Sequence, residues 1–278
     1  MTAAAELGCA LPWRVEALDF SALDAARVRD DETLFFLLAS ASFIETGADV
    51  YTRNLLDYYR DDAETAAWLT GQWEQEELQH GRALRAYVER AWPDFDWAAA
   101  FARFFEQYGA TCTSAQFEPT PALELAARCV VETGTATFYR MLMDYAREPV
   151  LRQLLDHIRG DEVRHFKYFY RSFRRHQQSA RHGRLRVAGV LWHRLREAMN
   201  EDGYIAFRHA YAQRHPERAN DDMDAYARFK QRINAIARAH YPYTMGAEML
   251  LTPLALPPML RRQGVRAVGG MFRLAGFN

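Results

Sequence analysis

The 278-residue chain is 49% hydrophobic and 26% charged, with a formal net charge of −1 at neutral pH. That balance excludes a disordered or strongly polybasic chain, and the length is enough for one large domain with a sizeable core. Cys9, Cys112 and Cys129 are far apart and form no CxxC pair, so they read as reduced thiols of a cytoplasmic protein.

The N-terminal stretch MTAAAELGCALPWR has no basic segment followed by an apolar run, so no secretory signal is expected. Residues 1–30 are expected to pack on the body that follows. Asp30 or Asp31 can cap a helix running to about Arg60. Asp61 and Asp62 open a second helix to about Ala91, stopped before Pro93, and a shorter helix is expected over 94–109. After a loop at 110–119, a third long helix runs from Pro121 to about Ala146, and a fourth over about 149–177. At ~1.5 Å per residue each long helix spans on the order of 40 Å. The expected fold is therefore all-α: a four-helix bundle over 31–178, with the short helix carried by one long crossover.

Residues 179–278 read as a helical extension of the same domain, with patterns at about 187–214 and 221–239. The last stretch, 241–278, is rich in Pro, Gly, Met and Leu, and suits wrapping the bundle, an oligomer contact or a membrane surface. Its most apolar run, MLLTPLALPPML, is too short and too broken by proline to span a bilayer. Residues 167–186 hold seven Lys or Arg and no acid, a candidate dock for an acidic partner.

One helix is written twice. FIETGADVYTRNLLDYYR (43–60) and VVETGTATFYRMLMDYAR (130–147) align with Glu45 over Glu132. Each copy is followed by an E-x-x-H, Glu77 to His80 and Glu162 to His165, with Glu77 32 residues after Glu45 and Glu162 30 residues after Glu132. Residues i and i+3 share one helix face, so each Glu and His of a pair can reach one ion. Two such hairpins packed about a pseudo-twofold axis bring four carboxylates and two imidazoles together. Without cations that cluster would repel strongly, and two divalent ions nearly neutralise it. The mixed oxygen and imidazole donors suit iron, with manganese as the alternative at one or both sites. An acid also precedes each motif: Glu76 is assigned to His165 and Asp161 to His80, across the axis.

The order Glu, E-x-x-H, Glu, D-E-x-x-H resembles the ferritin-like di-iron superfamily over about residues 13–175. The 55-residue gap from Glu77 to Glu132 is unlike ferritins, and WEQEELQHGRAL and DEVRH are most similar to the soluble acyl-carrier-protein desaturases. Leu84 stands where the ribonucleotide reductase radical subunit carries its Tyr, and Ile158 where the di-iron N-oxygenases carry an extra His; His157, beside it, is expected to point away. By resemblance, Thr135 is a candidate catalytic hydroxyl near the oxygen-binding face, and Trp13 stands either as the Trp of an electron path or as an ordinary packed Trp.

The resemblance implies a ferritin-like bundle and an oxygen-activating di-iron oxidase, of desaturase or hydroxylase type, acting on an apolar and possibly acyl-chain or carrier-bound substrate. It also implies O₂ as co-substrate, an electron donor such as a ferredoxin, and a homodimer; no nucleic-acid partner is expected. The alternatives are a di-iron N-oxygenase, a ferroxidase or iron-handling protein without organic substrate, and a metal-bound scaffold.

Overall fold

The computed structural model describes residues 11–197 and 202–275; Cys9 and the first ten residues lie outside that range. The described residues are helical throughout, without a strand. No single described helix is long and apolar enough to cross a membrane.

Two helical hairpins form the centre. The first helix is α1 (Glu32–Thr46), which is apolar on all sides and buried from Thr33 to Ala39. A helix with no polar face has to run through the interior. Asp31 caps it, accepting from the Leu34 N–H at 2.9 Å. The helix expected to run unbroken to Arg60 instead stops at Gly47 and bends by 42° into α2 (Ala48–Tyr58). The crossover loop pulls α2 aside: Asn54 donates to the Cys112 carbonyl at 3.1 Å, and Tyr58 donates to the Glu118 carbonyl at 2.5 Å.

The second expected helix is present with an irregularity. It comprises α3 (Ala63–Trp68), a π-helical turn (Leu69–Trp73) and α4 (Glu74–Ala91). The short crossover helix α5 spans Trp97–Thr111. The second hairpin is uninterrupted: α6 (Pro121–Tyr145) and α7 (Pro149–Ala180), each started by a first-turn proline. Glu148 caps α7 through the Leu151 N–H at 2.7 Å.

The remainder covers this centre. The pattern expected as one helix over 187–214 is two, α8 (Arg184–Glu197) and α9 (Asp202–Arg214), with 198–201 outside the described residues. Helix α10 spans Asp222–His240. The Pro- and Gly-rich end is more regular than its composition implies, forming α11 (Tyr243–Leu251) and α12 (Pro258–Ala275). Trp13, Leu18 and Val28 from the N-terminal segment share one apolar cluster with α1, α4, α5 and α7, and with Phe207 and Phe229 of α9 and α10.

Candidate metal centre

Glu45 comes from α1, Glu77 and His80 from α4, Glu132 from α6, and Glu162 and His165 from α7, and all six are buried. Their ligating atoms form two sets, each with its members within 4.8 Å of one another: Glu45, Glu77, His80 and Glu162 in one, Glu77, Glu132, Glu162 and His165 in the other. Glu77 and Glu162 belong to both sets. Either cluster can hold a metal ion.

The close approach of α1 to α4 depends on Gly81. A Cβ there would stand 2.6–2.8 Å from Thr46, the residue after Glu45. The glycine after the first His thus lets the α1 carboxylate reach the α4 imidazole.

The imidazole geometry tests whether the cluster fits a cation. His80 Nε2 lies 2.9 Å from Asp161 Oδ2, and His165 Nε2 lies 2.6 Å from Glu76 Oε2, the cross-axis pairing expected from the sequence. A carboxylate is acceptor-only when ionised, so each Nε2 carries the proton that it donates. Each Nδ1 then turns inward. His80 Nδ1 faces Glu162 at 3.3 Å, Glu77 at 3.7 Å and Glu45 at 3.9 Å. His165 Nδ1 faces Glu77 at 3.1 Å, Glu132 at 3.5 Å and Glu162 at 3.7 Å. Both Nδ1 atoms and Glu162 Oε1 are buried without a well-formed hydrogen-bond partner. A neutral imidazole would aim a lone pair at carboxylate oxygens, an arrangement that needs a positive charge between them.

The titration directions agree. Burial pushes Glu45 and Glu132 well above the usual carboxylate range, with Glu77 and Glu162 repelling Glu45 further. Burial also disfavours charge on Glu77 and Glu162, yet the neighbouring His165 and His80 imidazoles outweigh it and hold both below that range. Burial disfavours imidazolium, but the surrounding carboxylates raise His80 and His165 well above an ordinary histidine. A metal needs deprotonated carboxylates and neutral imidazoles, so binding a cation at this cluster would release protons.

Several partners were not legible from motif spacing. Tyr139 donates to Glu45, reaching across from the opposite hairpin; its place seven residues after Glu132, two turns along the same face, was the available signal. Arg164 sits between Glu162 and His165 and donates to both Asp161 and Glu76, tying the two outer acids together. Trp13 donates to Asp161 Oδ2 at 2.7 Å and stacks parallel to His80 at 6.2 Å. It therefore joins the His80–Asp161 pair directly as well as packing. Thr135, half-buried, donates to Glu162 Oε2 at 2.8 Å and lies 3.3 Å from the Val131 and Glu132 carbonyls. His157 stacks on the far face of this system, on Trp13 at 5.0 Å, and Leu84 and Ile158 are fully buried apolar residues.

No protein-family model, curated protein or solved structure matches the chain.

Proposed function

We propose that the chain is a ferritin-like, non-haem di-iron oxidase that activates O₂ to attack an apolar, acyl-chain-like substrate. One observation carries the reading: four buried carboxylates and two inward-facing imidazole Nδ1 atoms form two overlapping donor sets that share Glu77 and Glu162. Glu77 and Glu162, common to both sets, would help to hold both ions. Glu45 and His80 would complete one site, Glu132 and His165 the other. A set of hard carboxylates with one imidazole per ion suits iron, with manganese second.

Bound iron supplies the activation of O₂ and the one-electron chemistry; the protein supplies geometry, protons and exclusion of water. Asp161 and Glu76 fix the ring orientation of His80 and His165 and make their Nδ1 atoms better donors. The Thr135 hydroxyl, already on Glu162, can hold that carboxylate in place or pass a proton into the site. Tyr139 restrains Glu45 on the other side. Seven helical residues before His80, the π turn at Leu69–Trp73 interrupts the regular ladder, a feature often kept at functional sites.

The basic run 167–186 would serve this reading as a docking surface for its electron donor. A depression of about 390 Å³ lies outside His165, lined by Trp68, Gln72, Arg164, Lys167, Tyr168 and Arg171. Trp68 stacks on Tyr168 at 3.7 Å and meets His165 edge-on at 5.9 Å, so aromatic groups lead from this basic surface to the centre. An acidic donor such as a ferredoxin fits such a rim.

The test is metal analysis followed by single-turnover oxidation of the iron-loaded, reduced protein, with and without an acyl substrate. About two irons per chain, and substrate-dependent oxidation that yields a desaturated or hydroxylated product, are expected. Oxidation that ignores substrate would make the protein an iron-handling one, and absence of oxidation would leave a metal-bound scaffold.

A further inference from the structure

Helix α12 is built unlike the rest of the chain. It is 18 residues long, yet no residue from 258 to 274 is buried. At 3.6 residues per turn its side chains divide into three stripes. Val265, Val268 and Phe272 are half-buried and form the seat on the body, chiefly against α11. Leu260, Ala267, Met271 and Leu274 follow one another at spacings of seven, four and three and share a second stripe that faces outward. Leu260 is 53%, Met271 47% and Leu274 88% exposed. Arg262, Arg266 and Arg273 line the third stripe, beside the apolar one.

The charge is one-sided. From Pro258 to the C-terminus there are four arginines and no Asp or Glu. Arg261 is occupied by the Thr252 hydroxyl at 3.2 Å, and Arg273 lies over the Tyr243 ring at 5.1 Å. Arg262 and Arg266 meet no carboxylate among the described residues. The neighbouring start of α8 extends the surface. Arg184 donates to the Ala255 carbonyl at 3.2 Å, which brings the 90% exposed Leu185, between Arg184 and Arg186, to the turn that leads into α12.

We infer that α12 is an interfacial helix that lays its apolar stripe into an anionic lipid surface, with Arg262 and Arg266 at headgroup level. An exposed apolar stripe beside a row of arginines, on a helix that cannot span, is the pattern of a helix lying in the plane of the bilayer. Long arginine side chains keep their charge in the headgroups while their stems follow the apolar boundary. A second copy is the weaker occupant: a twofold contact would set arginine row against arginine row, with no acid on α12 to separate them. At ~1.5 Å per residue the helix is roughly 27 Å long and about 10 Å across, so one stripe of it falls well short of the roughly 800 Å² per partner of a stable interface. The inference stands apart from the metal centre, and no ligand of that centre takes part in it.

The experiment is flotation of the full-length protein with vesicles of pure phosphatidylcholine and of phosphatidylcholine mixed with phosphatidylglycerol. The protein should float with the mixed vesicles, much less with the neutral ones, and less as salt is raised. Arg262→Glu with Arg266→Glu should lower partitioning by about ten-fold or more, since each basic residue near such a surface is worth on the order of one power of ten at most. Leu260→Ser with Met271→Ser should reduce it similarly without altering charge. All four positions are on the surface, so helicity and iron content should stay at wild-type levels. Failure to float, or equal binding to both vesicle types, would overturn the inference. So would a concentration-dependent dimer that sedimentation shows to be dissolved by Leu260→Ser with Met271→Ser, because the stripe would then be covered by a second copy.

Discussion

The two hairpins carry the same ligands but are not the same structure. The second is continuous, 25 residues of α6 turning into 32 of α7. The first is interrupted twice, by the 42° bend at Gly47 just after Glu45 and by the π turn shortly before Glu77. The same Thr-Gly follows both glutamates, yet Gly134 lies inside unbroken helix with open space at its Cβ position. Glycine permits a break without dictating one, and the contacts of α2 with the crossover loop decide. Where the repeat has Ala48 and Thr52 in the first hairpin, the second has Thr135 and Tyr139. Thr135 and Tyr139 donate to the carboxylates, Thr135 to Glu162 and Tyr139 to Glu45, whereas Ala48 has no hydroxyl and Thr52 donates to the Ala48 carbonyl at 2.9 Å. The six candidate ligands thus follow the twofold repeat, while the hydroxyls around them do not.

The largest effects should separate shared from unshared ligands. Glu77→Ala or Glu162→Ala removes a carboxylate common to both donor sets and should abolish the coupled pair of ions. Glu45→Ala or Glu132→Ala strips one set only and should leave roughly one ion per chain, given the two-ion ligand set. Metal analysis with magnetic spectroscopy measures both. Full metal content in the first two variants would show that the six residues are not the site.

The glycines test the difference in packing. Gly81→Ala places a methyl against Thr46 backbone, so α1 must move away from α4. A stability loss of ~1–3 kcal/mol is expected from such overpacking, with weaker metal binding at the Glu45–His80 side. Gly134→Ala meets nothing within 4 Å and should stabilise by ~0.5–1 kcal/mol through helix propensity. Thermal unfolding of the two variants decides; equal effects would mean that the close approach of α1 and α4 is not held by Gly81.

Much of this asymmetry lay beyond the reach of sequence pattern. Four long helices, their prolines and caps, and the ligand spacing are local or periodic features, so they are legible in the chain. So is the pairing of Glu76 with His165 and of Asp161 with His80, because it follows from placing two copies about an axis. The bend at Gly47 depends on Asn54 and Tyr58 meeting a loop some sixty residues away, and the π turn leaves no change of period to read. Arg164 looked like one more charge on a charged helix face, and only the fold shows that it joins two acids from different helices.

The outer acids should give an intermediate effect with a side attached. Asp161→Asn loosens His80, Trp13 and Arg164 together, while Glu76→Gln loosens His165. Each should weaken metal affinity by about 10–100-fold, Asp161→Asn chiefly at the Glu45–His80 side. Competition titration against a chelator checks this, and unchanged affinity in both would reduce these acids to packing partners.

The smallest expected effect is the one that bears most on the proposed oxidation. Thr135→Val keeps the side-chain shape and removes only the hydroxyl on Glu162 Oε2. The residue is half-buried, and Glu162 keeps its other neighbours, so iron loading should be unchanged. Losing one hydrogen bond to a charged group costs on the order of 1.5–3 kcal/mol at most, which bounds the slowing of single-turnover oxidation to about a hundred-fold. Hydrogen peroxide release should rise, because a proton donor at one face of the site has gone. Thr135→Ser should restore both rate and coupling, a rescue that a purely structural role in helix α6 would not require. Ala48→Ser adds a hydroxyl at the equivalent position of the first hairpin, after the α1 bend, and should change little. If Thr135→Val oxidises at the wild-type rate with wild-type coupling, its hydroxyl serves only the Val131 and Glu132 carbonyls, and the two halves of the centre are chemically alike despite their different helices.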